Sequence, residues 1–173
     1  MNNKKLTKLR ELVGIYQEGL KQASAGATKR DQINAVTCEC LISFLQDTLR
    51  ISEDKSKEIG WFMTAIPREI PLAMDIHPYS AELLIALLPT IRPDGLSEYI
   101  KTAEIAGLPT EMCSVDKGVI GLVLSGQLPD PDFIVGCSLP CDNIVIGYQM
   151  YSNIMKVPSF YPDAPYGDKW DDI

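Results

Sequence analysis

The segment Ile59-Gly60-Trp61-Phe62-Met63-Thr64-Ala65-Ile66-Pro67-Arg68-Glu69-Ile70-Pro71-Leu72-Ala73-Met74 decides the fold. A short apolar run, Ile59 to Thr64, is bounded by a turn at Ile66-Pro67 and followed by a helical stretch, Arg68 to Met74. That is how a buried strand feeding a helix reads. The pattern recurs downstream: strands are predicted near Thr110 to Cys113, at Asp132 to Cys137 and near Val157 to Tyr161. Helices are predicted at Ala81 to Leu88, Ser97 to Ala106, Ser114 to Ser125 and Asp142 to Met155. The last two are apolar nearly all round, as helices packed between a sheet and another layer are. The expected class is α/β, a three-layer Rossmann-like domain with a parallel sheet.

Upstream the period is helical. Leu6, Leu9, Leu12, Val13, Tyr16 and Leu20 recur on one face, and Ile33, Val36, Cys40, Leu41, Phe44, Leu45 and Leu49 do so after the break at Ala25-Gly26-Ala27. Two amphipathic helices therefore precede the sheet. The expected division is a helical lead-in over 1–56 and the α/β domain over 57–173. The tail Tyr161-Pro162-Asp163-Ala164-Pro165-Tyr166-Gly167 reads as loop. No internal repeat or low-complexity stretch is present.

Composition narrows the function. The chain has 173 residues, 46% of them hydrophobic and 23% charged, enough for one compact domain with a core and far from the composition of disorder. Sixteen Lys and Arg against 23 Asp and Glu give a net charge of -7, a field that repels phosphate backbones and argues against nucleic acid. Leu83 to Leu88 and Val119 to Leu124 are too short to cross a bilayer, so no membrane span is expected. Met1 to Arg10 lacks the features of a secretory signal, which makes a cytoplasmic location the expectation. The five cysteines are then expected as thiols or metal ligands.

In an open parallel sheet, ligands collect outside the carboxyl ends of the strands, where helix amino termini point into the crevice. Three segments fall at that edge: Ile66 to Glu69, Cys113 to Lys117, and Cys137 to Asp142. Cys113, before a cap candidate at Ser114, and Cys141, beside a cap candidate at Asp142, are placed where a helix dipole favours the thiolate, the form that binds metal. The plain alternative is that each is a small buried residue at a strand end. Cys137 and Cys141 form a C-x-x-x-C spacing, weaker than a zinc knuckle, and a reversible disulfide is one further reading. Cys38 and Cys40 point apart on one helix and read as ordinary helix residues. His77 stands alone as the only histidine, which leaves multi-imidazole zinc sites and a Ser-His-Asp triad unsupported; it reads as a loop residue before Pro78. No G-x-G-x-x-G or P-loop occurs at a βα junction. Arg68 and Glu69 could meet a polar substrate or merely complement a helix dipole.

The segment from Gly60 to Met74, a strand followed by Pro67-Arg68-Glu69 and Ala73, resembles the opening of the first α/β domain of 2-hydroxyacyl-CoA dehydratase and benzoyl-CoA reductase subunits. Cys113 with Lys117 and Gly121, and Asp132 to Val135 leading to Cys141-Asp142, resemble two further blocks of that family in the same order. The likeness covers roughly Ile59 to Gly167, and the Cys-Asp block is its most specific part.

The resemblance implies a 4Fe-4S cluster held by three cysteines, with Cys113 and Cys141 as two ligands and Cys137 as a further candidate. It implies an open iron acting as a Lewis acid on an acyl-CoA thioester carbonyl while one electron is delivered, so that water leaves a 2-hydroxyacyl-CoA to give the enoyl-CoA. Apart from the resemblance, Glu69 is the candidate catalytic residue, and Arg68 and Lys117 are the candidate substrate or CoA contacts. The other branch implies ring reduction, and an electron-relay or scaffold module of the same family is the noncatalytic reading. A homologous partner subunit and a separate ATP-dependent activator protein are also implied. The family's third ligand lies in a later domain, and no cysteine follows Cys141. The expectation is thus an amino-terminal portion or split subunit, inactive alone.

Overall fold

A computed structural model describes residues 6–91, 94–139 and 141–163, without the side chains of residues 90 and 91. Residues 164–167, in the expected tail loop, lie outside the described residues. The order of elements is α1 (Thr7–Ala25), α2 (Lys29–Asp54), β1 (Ile59–Phe62), α3 (Glu69–Ala73), β2 (His77–Tyr79), α4 (Ala81–Ile91), α5 (Ser97–Ile105), α6 (Ser114–Leu124), β3 (Phe133–Val135), α7 (Asp142–Met155) and β4 (Ser159–Phe160).

α1 and α2 form a hairpin. Its turn is set by a capping box: the Asp31 N–H donates to Thr28 Oγ1, and the Thr28 N–H donates to the Asp31 carboxylate. Gly26 is needed there, because a Cβ would sit 2.3 Å from that carboxylate. Leu9, Leu12, Val13 and Tyr16 of α1 are buried, as are Leu45, Thr48 and Ile51 of α2.

The four strands are all parallel in the order β2-β1-β3-β4, which agrees with the α/β, Rossmann-like expectation. Ile59 and Trp61 of β1 share a face with His77 and Tyr79 of β2 and with Ile134 of β3, and all five are buried. α2 covers part of that face, with Phe44 stacked on Tyr79 and Thr48 bonded to His77. α7 covers another part, with Tyr151 against Trp61 at 5.1 Å between ring centroids. On the opposite face Phe62 meets Phe133 edge-on.

Two expectations are corrected. Thr110 to Cys113 is a turn leading into α6, not a strand; Pro109 precedes it, and the Met112 N–H closes the turn on the Pro109 carbonyl. A strand not expected from the sequence, β2, pairs with β1, so His77 is a buried strand residue and not a loop residue. Pro78 is tolerated because β2 is an edge strand, where a missing N–H need not break the ladder. Among the described residues no helix is long and apolar enough to cross a membrane.

Candidate functional site

The sheet order creates a topological switch point. The chain leaves β1 for β2 on one side, whereas β3 lies on the other, so the connections diverge at the carboxyl ends of β1 and β3. A cavity of about 420 Å³ opens at this edge, lined by Met63, Thr64 and Ala65 after β1, Glu82 in the first turn of α4, Cys113, Val115 and Asp116 at the start of α6, and Cys141 and Ile144 at the start of α7.

The structure therefore brings Cys113 and Cys141 to one cavity. Each is the N-cap residue of its helix, so Ser114 and Asp142 are first helical residues and not the caps. Neither thiol caps its helix with a side-chain hydrogen bond, so the N–H groups of both helix starts stay open toward the cavity edge. All five cysteines are free thiols. Cys137 sits just outside the lining: its thiol donates to the Leu139 carbonyl at 3.2 Å and lies 3.4 Å from Met63 Sδ.

Carboxylates complete the wall. Glu82 Oε2 accepts from the Thr64 N–H at 2.9 Å and from Thr64 Oγ1 at 2.5 Å, pinning the turn after β1. Asp116, 3% exposed, accepts from the Tyr151 hydroxyl at 3.1 Å. Burial pushes the Asp116 carboxyl above the usual carboxylate range, against the Tyr151 hydrogen bond and with the help of the Glu82 charge. Burial likewise holds the Tyr148 and Tyr151 phenols well above their ordinary value, with Glu82 adding to the first and Asp116 to the second.

The other expected residues are elsewhere. Lys117 is nearly buried and does not line the cavity; its Nζ donates to Glu104 Oε1 at 2.6 Å and to the Thr110 carbonyl at 2.7 Å. Arg68 borders a separate cleft of about 540 Å³ between α2, α3 and β2, where it donates to the Pro78 carbonyl and lies 4.8 Å over the Phe44 ring. Glu69 begins α3 and is exposed, outside both linings. Thr64, Glu82, Asp116 and Tyr151 were not singled out by sequence reasoning. Asp116 carries a weak signal, because an acidic residue three after an N-cap is a first-turn pattern.

The donor set fits part of a metal-cluster site. Two thiols face a cavity walled by Met63, Ala65, Val115 and Ile144, yet among the described residues no three His, Cys, Asp or Glu side chains are grouped so as to hold a metal ion. Two cysteines of the described residues line this cavity and could serve as ligands.

Comparison with known proteins bears on the same segment. The family model described as "2-hydroxyglutaryl-CoA dehydratase, D-component" matches residues 63–172, so α1, α2 and β1 lie before the matched part. The (R)-2-hydroxyisocaproyl-CoA dehydratase alpha subunit of Clostridioides difficile is 21% identical over 123 residues, covering 68% of this chain and 30% of that protein. The (R)-phenyllactyl-CoA dehydratase alpha subunit of Clostridium sporogenes is 21% identical over 120 residues, covering 66% of this chain and 29% of that protein. The chain thus spans under a third of the length of the curated relatives it matches.

Proposed function

The chain belongs to the 2-hydroxyglutaryl-CoA dehydratase, D-component, family, and from that premise we propose that it forms a cluster-binding α/β unit of a 2-hydroxyacyl-CoA dehydratase. The reaction is loss of water from a 2-hydroxyacyl-CoA to give the enoyl-CoA. The observation that carries the reading is the meeting of Cys113 and Cys141 at one cavity, from two helix starts, at the switch point of a parallel sheet.

Cys113 and Cys141 would hold a 4Fe-4S cluster. When bound, the cluster supplies one electron and an iron site for the thioester carbonyl. Val115, Ile144, Met63 and Ala65 give the cavity that both sulfurs line an apolar wall. Glu82, through its two bonds to Thr64, holds the turn after β1 against the cavity. Glu69, on the segment that continues from that turn, is the proposed proton acceptor. Arg68 and Lys117 remain the proposed CoA contacts, each reached only by leaving its present partner.

In this reading the remaining ligand comes from another domain or polypeptide, because among the described residues only Cys113 and Cys141 line the cavity as thiols. A homologous partner subunit and an ATP-dependent activator that injects the electron complete the proposal. Both relatives are named as dehydratases, which favours dehydration over ring reduction.

The test is anaerobic purification with iron and sulfide analysis and EPR, for the native chain and for Cys113→Ala and Cys141→Ala, each co-expressed with a candidate partner subunit. Cluster content that both substitutions abolish is the expected result. Iron content indifferent to both would refute the ligand assignment.

A further inference from the structure

α6 and α7 carry Cys113 and Cys141 at their starts, so the relation between the two thiols depends on how the two helices are registered. One buried polar contact ties them. The Tyr151 hydroxyl donates to Asp116 Oδ1 at 3.1 Å, and Asp116 lies in the first turn of α6, three residues after the Cys113 N-cap. The Tyr151 ring is fixed by Trp61 of β1 at 5.1 Å and Tyr148 at 5.2 Å between centroids, so the hydroxyl reaches Asp116 from a position set by the sheet. Gly147 makes room for the approach. A Cβ there would sit 3.0 Å from the Tyr151 hydroxyl and 3.1 Å from Asp116 Oδ1.

A contact made only for stability does not require a carboxylate at this place, because apolar residues of similar volume hold two helices together as well or better. What a buried carboxylate and phenol add is direction: one arrangement of the helices satisfies both groups, and a slipped one leaves a charge unpaired.

We propose that Asp116, Tyr151 and Gly147 form a clasp that registers the two helix starts, making Asp116 and Tyr151 positioning residues for the Cys113 and Cys141 thiols. This rests on the reading of those thiols as a ligand pair. The clasp fixes the relation of the two thiols before any ligand arrives, so its loss lowers affinity through lost preorganisation.

The test uses the full chain carrying Cys38→Ser and Cys40→Ser, titrated anaerobically with Cd2+ and followed by the thiolate-to-metal charge-transfer absorption. Tyr151→Phe and Gly147→Ala are each expected to weaken Cd2+ binding about tenfold, the scale of one charge-assisted hydrogen bond, with native circular dichroism. Asp116→Asn, which keeps a neutral acceptor for the Tyr151 hydroxyl, is expected to weaken binding less than Tyr151→Phe does, and a larger loss in a folded Asp116→Asn chain counts against the hydrogen bond as the link. Either of the first two variants suffices if the other fails to fold. Native affinity in a folded Tyr151→Phe or Gly147→Ala chain, while Cys113→Ser and Cys141→Ser abolish binding, overturns the clasp and leaves the ligand pair standing. Binding indifferent to Cys113→Ser or Cys141→Ser overturns the pair and the clasp together.

Discussion

Replacing Lys117 tests whether this residue is a structural post of α6. Its ammonium is bonded to Glu104 Oε1 at 2.6 Å and to the Thr110 carbonyl at 2.7 Å, with side-chain exposures of 5% for Lys117 and 32% for Glu104. Two bonds to a charged donor are worth about 1.5–3 kcal/mol each when fully buried. Glu104 and Thr110 regain water when the lysine is lost, which lowers the sum, and Met fills the space of the lysine stem. Lys117→Met is therefore expected to cost about 2 kcal/mol. Glu104→Ala is worse, at about 3 kcal/mol, because it leaves a buried ammonium without its counter-charge and with the Thr110 carbonyl as its one bonded partner of the two. The double substitution removes the stranded charge and is expected to cost about 2 kcal/mol, well short of the sum of the single changes. Urea unfolding followed by circular dichroism under reducing conditions measures all three, provided the slopes stay equal. Additive costs, or a Lys117→Met change below about 0.5 kcal/mol, would refute the ion-pair reasoning.

Two further outcomes are expected. Burial of His77, opposed by Asp47 and reinforced by Arg68, Arg50 and Lys57, pushes its pKa down to about 4. A histidine depressed on folding is neutral in both states above pH 6.5, so its contribution is intact there; as pH falls toward 4 only the unfolded chain takes up the proton, and stability declines by up to about 3 kcal/mol. Unfolding measured between pH 7 and pH 4 (about the span of both pKa values) should show that decline flattened in His77→Gln, and an identical slope in the variant would count against it. Gly121→Ala places a Cβ 2.1 Å from the Tyr99 carbonyl oxygen, a backbone atom that cannot swing aside. α5 must then back away from α6, at an expected cost of more than about 3 kcal/mol in urea unfolding, and an unchanged midpoint would contradict the close approach.

Most of the fold was legible because its helices carry their own signals. α6 and α7 begin within a residue of where a cysteine followed by Ser114 or Asp142 places them, and α1 and α2 follow the apolar period on either side of Gly26. β2 was not legible. Three residues are too few to show alternation, and Pro78 argues for a loop unless the strand is already known to be an edge. Thr110 to Cys113 misled for the opposite reason: it precedes a helix as a strand would, but the Met112 N–H closes it into a turn on the Pro109 carbonyl. At the site, the two cysteines could be found from their places before helices. Glu82 and Tyr151 could not, because their meeting with Thr64 and Asp116 depends on packing between elements far apart in sequence. Lys117 shows the converse, a cation beside a candidate ligand whose side chain turns into an ion pair with α5.

The helical hairpin also has a mechanical consequence. α2 has 26 residues and so extends about 39 Å, but its buried residues begin only at Leu45, and those of α1 end at Tyr16. The hairpin is a rod clamped at its base, whose far end is held chiefly by the Thr28 capping box and by its own partner helix. Backbone amides in the stretch from Lys29 to Cys40 should exchange with solvent through openings that leave the sheet intact, whereas those from Leu45 to Ser52 exchange only when the clamp itself lets go.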